Sequence, residues 1–262
     1  MTPIIELNNI SQVYDGTNVV IKDLNLVIED KPTKGQFVGL LGPSGCGKST
    51  LLRYISGLQK PTSGEVKLFG RPRVESDTVG MVFQKYSSLP WLSVLDNIAL
   101  GLKLQGVDKA TRTTKAKEML EVVGLKGHGN KYAQYPTLSG GQLQRVAIAR
   151  SLLANPKILL MDEPFGALDI KTRLMMQDSL NDIYIRLFNQ GLDPTIIFVT
   201  HDIQEAVYLA DDIYVLGKAP AKVEKHIKVD LPDVRDRNIK REPFFRELVS
   251  ELEDVMMGIG DK

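Results

Sequence analysis

The chain has 262 residues, 43% hydrophobic and 25% charged, which suits one α/β globular unit with room for an inserted subdomain. A formal net charge of +1, with no dense run of Lys or Arg, leaves no basic field to gather nucleic acid or anionic lipid. Apolar stretches such as Ile158 to Met161 fall far short of the ~20 residues a membrane-spanning helix needs, and Met1-Thr2-Pro3-Ile4-Ile5-Glu6 lacks the basic-then-apolar order of a secretory signal.

Residues 4 to 14 and 19 to 28 read as strands joined through Asp15-Gly16-Thr17-Asn18, so a small β layer comes first. Tyr14, at the end of that first strand, can stack on a purine ring or pack on its strand neighbours. Gln36 to Leu41 is a short apolar run fit for a buried strand, and from Ser49 and Thr50 the chain continues at helical spacing. Between them Gly42-Pro43-Ser44-Gly45-Cys46-Gly47-Lys48-Ser49 fits G-x-x-x-x-G-K-[ST], whose backbone N–H groups cradle phosphates. A helix opening at that loop aims its free N–H groups and dipole at an anion, which favours a triphosphate over a neutral ligand. Lys48 neutralises charge on the terminal phosphates, and Ser49 can hold Mg2+. Cys46 is the only cysteine, so no internal disulfide is possible and a reducing cytoplasm is the natural setting. Near a helix N-terminus its thiolate is favoured, although a small filler is the simpler role.

Strand-like runs follow at Gly64 to Phe69 and Thr78 to Phe83. Gln84 ends the second of them, where a neutral amide can contact Mg2+ or water and transmit nucleotide state onward, or serve only as a loop residue. From about Pro90 to Tyr135 the composition turns helical, clearest in the amphipathic stretch Lys109 to Val123. Together with a helix from Gly141 to Leu153, this makes a helical subdomain of about 87 to 154 inserted in a core of 1 to 86 and 155 to 221. Leu138-Ser139-Gly140-Gly141-Gln142 puts a hydroxyl and small residues at the start of that helix, a second anion site in a chain that already has a phosphate loop. Lys157 to Glu163 is an apolar strand ending in two carboxylates: Asp162 can order Mg2+ through water, and Glu163 can polarise an attacking water. A long helix near Ile170 to Phe188 and a strand at Thr195 to Val199 complete the alternation, which implies a mostly parallel sheet. His201 then projects from that sheet edge toward a γ-phosphate, or begins a helix with Thr200 and Asp202. Residues 222 to 262 carry a last strand-like segment and a charged amphipathic helix near Phe244 to Met257, too short for a further ligand-sensing domain.

With these motifs in this order, the chain resembles the nucleotide-binding subunit of ATP-binding cassette transporters over about residues 4 to 217. The resemblance implies the P-loop NTPase cassette fold: an α/β unit with a mostly parallel core sheet, a small antiparallel β subdomain and an inserted α-helical subdomain. It makes Gly42 to Ser49 the Walker A loop, Gln84 the Q-loop, Leu138 to Gln142 the signature, Asp162 and Glu163 the Walker B end, Asp169 the D-loop acid and His201 the switch histidine. The catalytic set it implies is Glu163, His201, Lys48 and Gln84, with Ser49, Gln84 and Asp162 toward Mg2+. The wider ATP-contacting set adds Tyr14, the loop from Gly42 to Thr50, Ser139, Gly140, Gly141, Gln142 and Asp169. Ser139, Gly140 and Gly141 face the γ-phosphate held by another copy, so two chains sandwich two ATP molecules head to tail.

Ser88 to Ile98, with Phe165-Gly166-Ala167-Leu168-Asp169, is similar to importers of the nitrate, sulfonate and taurine group, whose apolar insert receives a coupling helix from the membrane subunit. That implies transmembrane permease subunits as partners, an extracytoplasmic substrate-binding protein indirectly, no nucleic acid, and a place on the cytoplasmic side of the inner membrane. Gly166 departs from the Ser that many cassette ATPases carry before Ala-Leu-Asp. The competing reading is a soluble cassette ATPase in DNA repair or translation. Those typically carry coiled-coil arms or two fused cassettes, whereas this insert has only ~45 residues. A P-loop kinase or GTPase is set aside by the signature and by the lack of an Asn-Lys-x-Asp guanine reader.

Overall fold

A computed structural model describes residues 3–31, 35–85, 87–166, 168–189, 191, 194–232 and 235–260. In chain order its elements are β1 (Pro3–Tyr14), β2 (Asn18–Glu29), β3 (Gln36–Leu41), α1 (Lys48–Ser56), β4 (Ser63–Leu68), β5 (Arg71–Pro72), β6 (Gly80–Val82), α2 (Val94–Leu104), α3 (Lys109–Val122), α4 (Gly140–Leu153) and β7 (Ile158–Asp162). The remainder is α5 (Ile170–Asn189), β8 (Thr195–Thr200), α6 (Ile203–Leu209), β9 (Asp212–Leu216), β10 (Val223–Lys228), a 3-10 turn at Arg237–Arg241 and α7 (Pro243–Gly260). They form two compact units, Met1–Val79 with Thr195–Lys262, and Gly80–Pro194.

The first unit has an antiparallel layer in the order β2-β1-β4-β5. β2 alternates: Ile21, Leu24, Leu26 and Ile28 are buried while Lys22, Asp23, Asn25 and Val27 face out, the period of a sheet with one wet face. The strands β3, β8 and β9 are instead buried at every residue, as parallel strands covered on both faces should be. β3 runs parallel to both, with Leu41 opposite Thr200 and Val215. β10 closes this part antiparallel to β9. Burying each of Phe37, Val38, Ile197, Phe198 and Ile213 contributes ~1.5–3 kcal/mol, and α1 adds Leu51, Leu52, Tyr54 and Ile55.

In the second unit β6 and β7 are parallel, with Gly80 opposite Leu159 and Val82 opposite Met161. A Cβ at Gly80 would lie 2.9 Å from both Leu159 and Pro156, so only glycine lets these backbones approach. The helices start on side-chain caps: Ser93 accepts from Asp96 N–H at 3.0 Å, and Asp108 from Thr111 N–H at 3.0 Å. α4 is buried nearly all round, from Leu143 to Leu152, whereas α3 buries only Ala116, Met119 and Leu120, a stripe one residue wide at i, i+3 and i+4.

The helical composition expected from Pro90 to Tyr135 resolves into α2 and α3 only. Beyond Val122 the chain runs in turns, because Gly124 and Gly127 take left-handed φ of 66° and 81°. β9, at five residues, is too short for a periodic pattern to declare itself, whereas α6, of seven residues and capped by Asp202, is the helix offered as the alternative for Thr200 to Asp202. No described helix is long and apolar enough to cross a membrane.

Candidate functional site

The first unit contributes the phosphate loop. It leaves β3 through Gly42, passes left-handed Gly45 (φ 79°) and Gly47 (φ 103°), and enters α1 with no side-chain cap, so the first N–H groups of α1 face the concave side of the loop. The loop is backed closely. A Cβ at Gly42 would lie 2.8 Å from the Leu216 carbonyl, and one at Gly47 3.0 Å from Ile21. Lys48 is 4% exposed, and its ammonium donates to the Gly42 and Pro43 carbonyls at 2.8 Å each, which fixes a cation over the loop. Ser44 and Gly45 are exposed, Pro43 and Ser49 half-buried and Thr50 buried. A left-handed glycine cradle, a helix N-terminus and a buried lysine form a donor set that fits a polyphosphate.

Cys46 is 1% exposed, and burial pushes its thiol above the ordinary range, with Lys48 only partly opposing the shift. The simpler filler role is the one the structure supports, and the thiolate is disfavoured: desolvation outweighs the helix terminus, and the side chain fills space against Gly42, whose Cβ would meet Sγ at 3.1 Å. Tyr14 is half-buried at the end of β1, its hydroxyl accepting from Gln59 Nε2 at 3.1 Å. Because Leu41 and Thr200 are register partners on parallel strands, Gly42 and His201 emerge at the same sheet edge. His201 is exposed there, and Asp202 beside it caps α6 by accepting from Glu205 N–H at 3.1 Å, so the histidine precedes a helix as well as facing the loop edge.

The second unit repeats this edge. Val82 pairs with Met161, so Gln84 and the Asp162-Glu163 pair emerge together, and Gln84 Nε2 donates to Glu163 Oε2 at 2.8 Å. Asp162 is 9% exposed at the end of β7. Glu163 takes a left-handed φ of 44°, a conformation costing ~1 kcal/mol or more in a residue with a side chain. A Cβ at Gly166 would lie 3.3 Å from Glu163 Oε2, so the missing Ser leaves room for the carboxylate.

Ser139 is the N-cap of α4 in a reciprocal capping box: its hydroxyl oxygen accepts from Gln142 N–H at 3.3 Å, and its own N–H donates to Gln142 Oε1 at 2.9 Å. The hydroxyl proton and the first N–H groups of α4, at Gly140 and Gly141, remain for an anion. Asp169 accepts from Thr172 N–H at 3.0 Å at the start of α5, and that bonding with Thr172 holds its carboxyl below the usual range. Ala167 lies outside the described residues.

Trp91 is 68% exposed and Leu92 half-buried; Tyr132, whose backbone bridges Ser93, is exposed, as is Tyr135. The loop bearing Trp91 is gripped by two residues the sequence reading passed over. Asn97, fully buried, accepts from Leu89 N–H at 2.8 Å and donates to the Leu89 and Ser93 carbonyls at 3.0 Å each. Arg150 donates to Ser87 O at 2.9 Å and Ser87 Oγ at 2.8 Å. An amide on the buried stripe of a helix was the available signal.

A family model described as ABC transporter matches residues 22–166. The chain is 44% identical over 263 residues to the nitrate import ATP-binding protein of a Synechocystis strain, covering 97% of this chain and 94% of that protein. It is 44% identical over 235 residues to the aliphatic sulfonates import ATP-binding protein of Zymomonas mobilis, covering 89% and 90%. Among solved structures it is similar to a dimeric, post-hydrolysis ATP-binding cassette bound to ADP and Pi, with a TM-score of 0.72 and 34% identity over 87% of this chain and 100% of that one.

Proposed function

The chain belongs to the ABC transporter family as an ATP-binding subunit, and from that premise we propose that it hydrolyses ATP to energise uptake of a small anion, nitrate or a sulfonate, through a separate membrane permease. The observation that carries the hydrolytic reading is the 2.8 Å bond holding Glu163 to Gln84 at a strand edge, a carboxylate kept aimed as a water-polarising base must be. The importer reading rests on likeness along the whole chain to import ATP-binding proteins for nitrate and sulfonates.

In this reading the N–H groups of Gly45 to Ser49 and the Lys48 ammonium bind the β- and γ-phosphates, while Tyr14 stacks on the adenine. His201, at the same sheet edge as the loop, donates to the γ-phosphate. Glu163 takes a proton from the water that attacks the γ-phosphorus as the bond to the β,γ-bridging oxygen breaks, giving ADP and inorganic phosphate. Ser49, Asp162 and Gln84 offer a hydroxyl, a carboxylate and an amide oxygen, hard donors that suit Mg2+, which when bound neutralises charge between the phosphates. The N-terminus of α4, where Ser139 is exposed, Gly140 half-buried and Gly141 buried, binds the γ-phosphate held by a second copy, so the working unit is a two-fold dimer with two ATP molecules between its subunits. The helical subdomain of about 87–154 carries the permease socket around Trp91 and Leu92, which keeps the chain peripheral on the cytoplasmic face of the membrane.

Reconstitution tests this. The complex captured from solubilised membranes through this chain should accumulate nitrate or a sulfonate in proteoliposomes only when Mg-ATP reaches the face that carries it. Robust hydrolysis with no membrane partner and no uptake would leave a soluble ATPase instead.

A further inference from the structure

Gln142 uses its amide oxygen for the capping box, accepting from Ser139 N–H, which fixes the direction of its NH2 group. That group points at His128, with Nε2 to Nε2 at 3.3 Å. An amide nitrogen cannot accept a hydrogen bond, so the imidazole Nε2 must accept, and the ring proton must reside on Nδ1. Nδ1 is shielded from solvent with no partner among the described residues. The ring is therefore a neutral, single-tautomer acceptor whose one contribution at this site is to steer Gln142.

Resting on the ATPase reading above, we propose that His128 is a positioning residue for the signature: its neutral Nε2 holds Gln142 in the orientation that caps α4, and a second proton on the ring releases it. With Nε2 protonated, two N–H donors face each other. Gln142 can then satisfy the histidine only by turning its oxygen away from Ser139, which breaks the Ser139 N–H half of the capping box and loosens the start of the helix that offers N–H groups to the partner's ATP. The surroundings agree. Lys131, on the same loop, is the charged group set against the ring; α4 presents the neutral Gln142; and α2 and α3, where they reach this loop at Gly129, present Leu95 and Leu120. Burial first, and Lys131 second, lower the imidazole pKa. For a histidine so depressed, the folded site is favoured above the ordinary histidine pKa of about 6.5, and the advantage declines as pH falls below it.

The test compares ATP turnover and ATP affinity in the wild-type chain, His128→Leu, which has no acceptor, and His128→Gln, whose side-chain oxygen can occupy the Nε2 position. His128→Leu should lower kcat about fivefold, the scale of one lost cap, with unchanged ATP affinity, because the chain's own phosphate loop lies elsewhere in sequence. His128→Gln should restore kcat. It should also remove the extra fall in wild-type kcat between pH 7 and 5.5, read as the ratio of the two proteins so that other titrating groups cancel. Equal loss in both variants, or a flat ratio across that range, overturns the proposal; if His128→Leu fails to fold, the ratio alone decides. A wild-type chain with no ATPase activity would refute the ATPase reading instead.

Discussion

Gly141→Ala in the signature helix sets two effects of opposite sign against each other. Alanine in a helix interior is better than glycine by ~1 kcal/mol, and less than that in the first turn, where Gly141 lies two residues past the Ser139 cap. Against this, the new Cβ would sit 2.7 Å from Thr172 Cγ2, about 1 Å inside ordinary carbon–carbon contact. Thr172 cannot easily yield, because it is β-branched and bonded to Asp169 by both its N–H and its side chain. Overpacking of this kind costs ~1–3 kcal/mol, so the net effect should be a destabilisation of ~1–2 kcal/mol. Thr172→Ser removes only Cγ2 and keeps the hydroxyl. In that background Gly141→Ala should cost nothing, giving a coupling energy of ~1–2 kcal/mol in a double-mutant cycle measured by urea unfolding. A Gly141→Ala protein as stable as wild type, or one equally destabilised in the Thr172→Ser background, would refute this account of why the position must be glycine.

Glu163→Gln should bind Mg-ATP normally but fall at least a hundredfold in turnover and accumulate ATP-dependent dimers, since an amide still pairs with Gln84 but cannot take a proton; near-normal steady-state hydrolysis would remove Glu163 from catalysis. Cys46 should react with maleimide far more slowly than a free thiol at pH 7, faster as pH rises toward and past 9, and more slowly still with Mg-ATP, because it is buried with a raised pKa; labelling at the free-thiol rate would place it outside the loop packing. Trp91→Ala should leave folding and ATP affinity intact yet weaken co-purification with the permease roughly thirtyfold, the ~2 kcal/mol of a lost aromatic anchor; a chain that fails to fold would make Trp91 core despite its 68% exposure.

Features whose chemistry is local were legible in the residues. The phosphate loop, the Asp162-Glu163 strand end and the Ser139 helix start are each set by a few adjacent positions, and their strands and helices lie where the apolar runs put them. Features made by pairs were not. The Gln84–Glu163 bond spans 79 positions, and neither the clash that makes Gly141 obligatory nor the tautomer of His128 can be read without knowing which side chain comes opposite. Burial decides between the two readings of Cys46 for a related reason: the helix-terminus rule lowers the pKa of a thiol that water can reach, and spacing does not report burial.

The short segment from Gln84 to Trp91 joins two of these properties. At one end Gln84 grips the carboxylate of Glu163. At the other the exposed Trp91 sits on backbone that Asn97 and Arg150 clamp at Ser87, Leu89 and Ser93. Breaking either clamp should therefore do more than loosen a loop, because Asn97 is fully buried and truncating it would strip the Leu89 N–H of its partner, at ~1–3 kcal/mol, while the Leu89 carbonyl keeps the Leu92 N–H. The grip on Glu163 and the exposed tryptophan thus lie seven positions apart on one backbone, at Gln84 and Trp91. On the proposed function, a force on Trp91 that shifts this backbone should alter how Glu163 is held, and by reciprocity a change in the bonding of Glu163 should alter the position of Trp91.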